Sequence, residues 1–221
     1  AGHMSQSILY YKKAGDILTA AAIYAELGQH MAAAAEYRRA DDFTSAGEHY
    51  AIAKDYKRAG ESYDKGGDFL QAGIYYEKAE SSVLAAEAYA RYFDDKLSRA
   101  SGNLTEVEED RKYAKRAGEL YRDEGDLDRA SSILQQGGFY EEAARCLRTT
   151  GDLSRAAQML VRAQQPLLAA EVLEEAGEET QAARMRAEAA MEAKDYATAA
   201  KMFRAAGDLK KAVKIFEKLE D

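Results

Sequence analysis

Asp42-Phe-Thr-Ser-Ala46-Gly-Glu-His-Tyr50 is followed by Asp55-Tyr-Lys-Arg-Ala59-Gly-Glu-Ser-Tyr63 and then by Asp68-Phe-Leu-Gln-Ala72-Gly-Ile-Tyr-Tyr76. One pattern of aspartate, alanine and tyrosine, four residues apart, is thus written three times at one constant step. Such self-similarity decides the fold before any propensity does. Aspartate is a preferred helix N-cap, because its carboxylate accepts hydrogen bonds from first-turn amides that have no partner within the helix. The apolar residue after the cap, the alanine three later and the tyrosine four beyond fall on one helical face.

Outward from this stretch the same register holds. Ala20, Ala33, Ala46, Ala59, Ala72 and Ala85 are each followed four residues on by Tyr24, Tyr37, Tyr50, Tyr63, Tyr76 and Tyr89, and Ser7 with Tyr11 extends the series backwards. It resumes at Ala117, Ala130, Ala143, Ala156, Ala169 and Ala182, now followed by Tyr121, Leu134, Leu147, Leu160, Leu173 and Arg186. Ala199 with Phe203 and Ala212 with Phe216 close it. Aspartates stand at the cap position at Asp16, Asp42, Asp55, Asp68, Asp126, Asp152, Asp195 and Asp208, often behind a glycine that can end the previous helix in a left-handed turn. Pro166 falls one position after a cap site, where its missing N–H costs nothing. Helices of roughly 9–11 residues, about 15 Å long, are marginal alone. They must stack, and the small alanines let backbones approach. The expectation is an all-α solenoid of about sixteen short antiparallel helices, with no β-sheet.

The string Gly-Asp-Phe-Leu-Gln-Ala-Gly-Ile-Tyr-Tyr-Glu-Lys-Ala, residues 67–79, resembles the second helix of a tetratricopeptide repeat through Ala72, Tyr76 and Ala79. The Gly-x-x-Tyr spacing of that family's first helix occurs at Gly47/Tyr50, Gly60/Tyr63, Gly73/Tyr76 and Gly118/Tyr121. Two units here make roughly 26 residues, against roughly 34 residues in the family. Its Trp-Leu and inter-repeat proline positions are empty. The chain is therefore similar to a shortened tetratricopeptide-like α-solenoid, and in style to helical stacks of vesicle-fusion adaptors and transport-coat subunits. The resemblance implies a right-handed superhelix and a groove that binds a peptide or protein.

Two interruptions divide the chain. Ala85 and Ala117 stand further apart than two units. One long helix is expected from Ser81 to Ala100, stopped by Gly102-Asn103, and a second is expected to open at Thr105 with Glu108 as a capping box. Glu106, Glu108, Glu109 and Asp110 would then occupy its first turn, where the helix dipole favours them. The step from Ala182 to Ala199 exceeds a unit by about one helical turn, so the helix near 180–193 is expected to be one turn longer. Residues 1–4 read as an expression-tag scar, and 5–221 as one continuous solenoid with a Tyr-rich block 5–92, a longer hairpin 93–124 and a Leu-rich block 125–221.

The composition narrows function by exclusion. A formal net charge of −8 without a long basic run disfavours nucleic acid, which needs a concentrated cationic surface. The single cysteine, Cys146, excludes an internal disulfide and a Cys-rich zinc site; it suits a reducing, cytoplasmic location and reads as a packed thiol. No apolar stretch reaches membrane-spanning length, so direct membrane insertion is not expected. His30 and His49 each stand alone in a helix, and no phosphate-cradling glycine loop is present. The chain is read as having no catalytic residues, no metal site and no cofactor. The expected function is a non-catalytic protein–protein interaction scaffold or adaptor. The alternative is a regulatory or targeting module of a larger enzyme or of a trafficking or transport assembly. A homo-oligomer is compatible with either.

The candidate binding residues are Tyr24, Tyr37, Tyr50, Tyr63, Tyr76 and Tyr89, with core packing as the competing role for their rings. Tyrosine combines a large apolar body with a polar tip and is enriched in binding hot spots. Alternate helices face opposite surfaces, so Tyr24, Tyr50 and Tyr76 form one row and Tyr37, Tyr63 and Tyr89 the other. Lys12-Lys13 and Arg38-Arg39 are expected to complement helix C-termini.

Overall fold

The structure, a computed structural model, describes the backbone of residues 2–220 and the side chains of residues 4–219. All fifteen regular elements among the described residues are α-helices. They fall into two compact units. The first, ending at Glu124, contains α1 (Gly2–Ala14), α2 (Ile17–Glu26), α3 (His30–Arg39), α4 (Phe43–Ile52), α5 (Tyr56–Gly66), α6 (Phe69–Lys78), α7 (Ser82–Arg99) and α8 (Arg111–Asp123). The second, from Gly125, contains α9 (Leu127–Gln136), α10 (Tyr140–Thr150), α11 (Leu153–Arg162), α12 (Pro166–Glu175), α13 (Glu179–Glu192), α14 (Tyr196–Ala205) and α15 (Leu209–Glu220). Within each unit every helix packs on the next one in sequence. Short connections between packed neighbours make them antiparallel.

The connection is one device used repeatedly. All eight aspartates expected as caps accept a hydrogen bond from the backbone N–H three residues on, as Asp42 does from Ser45 at 3.1 Å and Asp195 from Thr198 at 3.0 Å. The same residue also closes the preceding helix: the N–H groups of Asp42, Asp55 and Asp68 donate to the carbonyls of Tyr37, Tyr50 and Tyr63 at 2.9–3.0 Å. That six-to-one bond needs a left-handed residue just before the aspartate. Glycine supplies it at Gly15, Gly67, Gly125, Gly151 and Gly207, while Asp41, Lys54 and Lys194 adopt it without glycine, at φ of 57°, 63° and 61°. Pro166 opens α12, as its spacing implies.

The repeated alanines lie at the helix–helix contacts: Ala20, Ala33, Ala46, Ala59, Ala72 and Ala85 are all completely buried. Cys146 is buried on α10. α13 has the extra turn that its longer spacing demands.

One expectation fails. The helix expected to open at Thr105 begins only at Arg111, after a run of turns through Asp110. Asn103 displaces Thr105 as the local cap, its Oδ1 accepting from the Thr105 amide at 3.1 Å and hydroxyl at 2.7 Å. The amides of Glu106, Val107 and Asp110 then bond to carbonyls three residues back, a tighter winding than α. Val107 is buried, and Asp110 accepts a 2.6 Å bond from the Tyr92 hydroxyl. Burial of one apolar side chain and anchoring of one carboxylate outweigh the helix signal. The acids Glu106, Glu108 and Glu109 therefore precede α8 instead of forming its first turn.

Candidate interaction surface

The six repeated tyrosines occupy successive helices, α2 to α7. Tyr50, Tyr63, Tyr76 and Tyr89 are buried, and Tyr24 and Tyr37 are half-buried. Three of the buried rings sit on glycines. A methyl group at Gly47, Gly60 or Gly73 would lie 2.7, 2.7 or 2.5 Å from ring atoms of Tyr63, Tyr76 or Tyr89 respectively. Each glycine belongs to the helix before that of its tyrosine, and its missing side chain is the slot that receives the ring. In the Leu-rich block the residues at the same spacing before Leu160 and Leu173 are Ala144 and Ala157. Alanine thus stands opposite these two leucines, but the pairing is not general: Gly118 stands at this spacing before Leu134 and Ala34 before Tyr50, so the glycine slot is a feature of Tyr63, Tyr76 and Tyr89.

The hydroxyl tips behave differently from the rings. Among the described residues, no side-chain nitrogen or oxygen is both sealed from solvent and without a partner. Of the six hydroxyls, only that of Tyr89 donates to another side chain among the described residues, to Glu77 at 2.7 Å. The tips of Tyr50, Tyr63 and Tyr76 therefore reach solvent while their rings are core. Burial pushes the Tyr63 and Tyr76 hydroxyls up to about 12, with nearby Tyr75 and Asp64 respectively adding to it.

The two rows are distinguished by what the next helix places against them. Twelve residues after Tyr24, Tyr50 and Tyr76, on the next helix, stand Glu36, Ser62 and Ala88, all buried. Glu36 is held by Lys12 and, at 3.1 Å, by Arg39, so these two basic residues serve a buried carboxylate. Beside Tyr37, Tyr63 and Tyr89 the next helix places another ring. Tyr37 stacks on His49 at 5.4 Å between centroids, Tyr63 on Tyr75 at 5.4 Å, and Tyr89 on Tyr113 at 5.6 Å. A third ring completes each group: His30 on His49, Tyr56 on Tyr75, and Tyr92 edge-on to Tyr113. His30, His49 and Tyr37 lie two units before Tyr56, Tyr75 and Tyr63, so the first two groups are one constellation repeated. Tyr37, His30, His49, Tyr56, Tyr75, Tyr92 and Tyr113 are all half-buried. The ammonium of Lys78 lies 4.7 Å from the Tyr75 ring centre and 6.0 Å from that of Tyr56.

Helical periodicity finds neither the triplets nor the histidine pair. The Nδ1 atoms of His30 and His49 are 3.2 Å apart, one donating and one accepting. Burial holds His49 below the usual histidine range; the neighbouring His30 lowers it further and Glu48 opposes this. The recurrence of aromatic or imidazole residues every second unit was the available signal. In the third group, Glu77 also accepts from Arg116 of α8 at 2.8 Å. Burial alone would raise the Glu77 carboxyl, but the bonds from Arg116 and Tyr89 prevail and hold it below the usual carboxylate range.

Among the described residues, no group of three or more metal-ligating side chains converges, and no helix is long and apolar enough to cross a membrane. No protein-family model matches the chain, and no curated protein does. Among solved structures, BtubC (BKLC) from P. vanneervenii aligns with 99% of this chain and 87% of its own, at 17% identity and a TM-score of 0.27. A circular tandem repeat protein with novel repeat topology and enhanced subunit contact surfaces aligns with 98% of this chain and 52% of its own, at 19% identity and a TM-score of 0.18.

Proposed function

We propose that this chain is a non-catalytic scaffold of tetratricopeptide-like design that holds a protein or peptide partner against the aromatic face of its first unit. The observation that carries the reading is the repetition of two ring triplets, His30/Tyr37/His49 and Tyr56/Tyr63/Tyr75, at an interval of two sequence repeats, with every ring except the buried Tyr63 partly exposed. Each triplet joins two consecutive helices, so its rings are fixed before any partner arrives. Pre-ordered rings offer large contact area at small entropic cost, which is how aromatic hot spots work. The solvent-touching tips of Tyr50, Tyr63 and Tyr76 add hydrogen-bonding sites on the same helices. A core needs only the rings; leucine at the same repeat position meets that need in the second unit. Tyrosine adds polar tips that a binding surface can use.

The test is affinity capture with the chain and with its Tyr56→Ala/Tyr75→Ala variant in parallel, each checked for retained helicity. These two rings are half-buried, so their removal is expected to lose the captured partner and keep the fold. Capture of the same proteins in the same amounts by both would remove the aromatic face from the docking surface.

A further inference from the structure

The triplet positions of the first unit have a counterpart in the second. Tyr196 and Phe203 on α14 and Ile215 on α15 stand at the same offsets from Ala199 and Ala212 as Tyr56, Tyr63 and Tyr75 do from Ala59 and Ala72. In the first unit the third position is a ring, and the site is filled by stacking. In the second it is the aliphatic Ile215, and a groove of about 680 Å³ opens over Tyr196, Phe203 and Ile215. That volume is within the range that holds a bound side-chain cluster or a small ligand, roughly 300–1,000 Å³.

The rim has one sign of charge. Lys211, Lys214 and Lys218 line the groove at helical spacing along α15, and no acidic residue lines it among the described residues. Lys211 is paired with Asp208 at 3.3 Å, whereas Lys214 and Lys218 form no ion pair among the described residues. Stacked ammonium groups over an apolar floor repel one another unless an anion joins them. In a chain whose net charge is −8, this local reversal selects its occupant.

We infer that this groove docks an acidic amphipathic segment of a partner protein, inserting an aromatic or large aliphatic side chain over Tyr196 and Ile215 and setting its carboxylates against Lys214 and Lys218. This goes beyond the first-unit reading and names a second site of different chemistry.

The protein contains no tryptophan, so a tryptophan-bearing probe reports binding without background. The probe is a synthetic peptide of about 15 residues with tryptophan and leucine on one helical face and glutamate on its flanks. Its emission is expected to shift to the blue and saturate on titration with the full chain, and binding is expected to weaken as salt rises. The Lys214→Glu/Lys218→Glu variant is expected to bind about tenfold more weakly, or the milder Lys214→Gln/Lys218→Gln variant about threefold should the first not fold. The Tyr56→Ala/Tyr75→Ala variant is expected to bind the probe like the parent, which separates this site from the aromatic face. A peptide with lysine in place of glutamate that binds equally well would overturn the inference, as would undiminished binding by the lysine variants. Sedimentation showing a dimer of the parent that the charge reversal dissolves would assign the groove to a second copy and overturn it equally.

Discussion

Gly73→Ala tests the account of why tyrosine recurs. In an exposed helix interior this change stabilises by about 1 kcal/mol, because alanine has the higher helix propensity. Here the added methyl would lie 2.5, 2.6 and 3.0 Å from three atoms of the Tyr89 ring. The ring has little freedom to retreat: it is buried, and its hydroxyl is anchored on Glu77 at 2.7 Å. Overpacking of this kind costs about 1–3 kcal/mol, and more when both sides are held. The larger contribution wins, and a net destabilisation of about 1–2 kcal/mol is expected. In a Tyr89→Leu background the clash disappears, so the same alanine is expected to become neutral or stabilising, as the Ala157/Leu173 spacing of the second unit suggests. The assay is urea unfolding followed by circular dichroism for the four members of this double-mutant cycle, compared at unchanged m-value. A Gly73→Ala protein as stable as the parent, or an alanine effect of the same sign and size in both backgrounds, would refute the ring-in-slot reasoning.

Asp68→Ala is expected to cost about 1 kcal/mol, from loss of the 3.1 Å cap bond to Gln71, measured by the same melts. Asp208→Ala, whose bond to Lys211 is longer at 3.4 Å, is expected to cost less. Because the folded chain holds His49 below the usual histidine range, the unfolded chain binds more protons just below that range. Stability is therefore complete above the ordinary histidine value and declines as pH falls through it towards the lower folded value. The melting temperature is expected to drop between pH 7.5 and pH 5.5, and His49→Phe, which keeps a ring against Tyr37, is expected to flatten that drop. An identical pH profile for the parent and His49→Phe would remove the imidazole pair from the balance.

What was legible in the residues is what short-range chemistry decides. Asp68, Ala72 and Tyr76 lie within one helix, and their roles follow from the 3.6-residue turn and the unpaired amides at its start. The same local rules find the breaks at Gly102 and in the long α13. They mislead at Thr105, where a capping-box pattern was outcompeted by Asn103, by burial of Val107 and by the bond from Tyr92 to Asp110. Asn103 is itself a local competitor, two residues from Thr105, but the burial of Val107 and the bond from Tyr92 depend on the tertiary fold, which a local pattern does not record.

The candidate site divides along the same line. The sequence by itself determined that six tyrosines share one position on six successive helices, and that the Leu-rich block does without them. Only the tertiary structure decided that Tyr63, Tyr76 and Tyr89 lie in slots left by Gly47, Gly60 and Gly73 of the preceding helices. It likewise decided that His30 meets His49, and that Ile215 leaves open the position that Tyr75 fills. The physical reason is register. Distances within a helix are fixed by backbone hydrogen bonds that every residue makes alike. Meetings between helices are fixed by how closely two backbones approach, and that depends on which side chains are absent as much as on which are present.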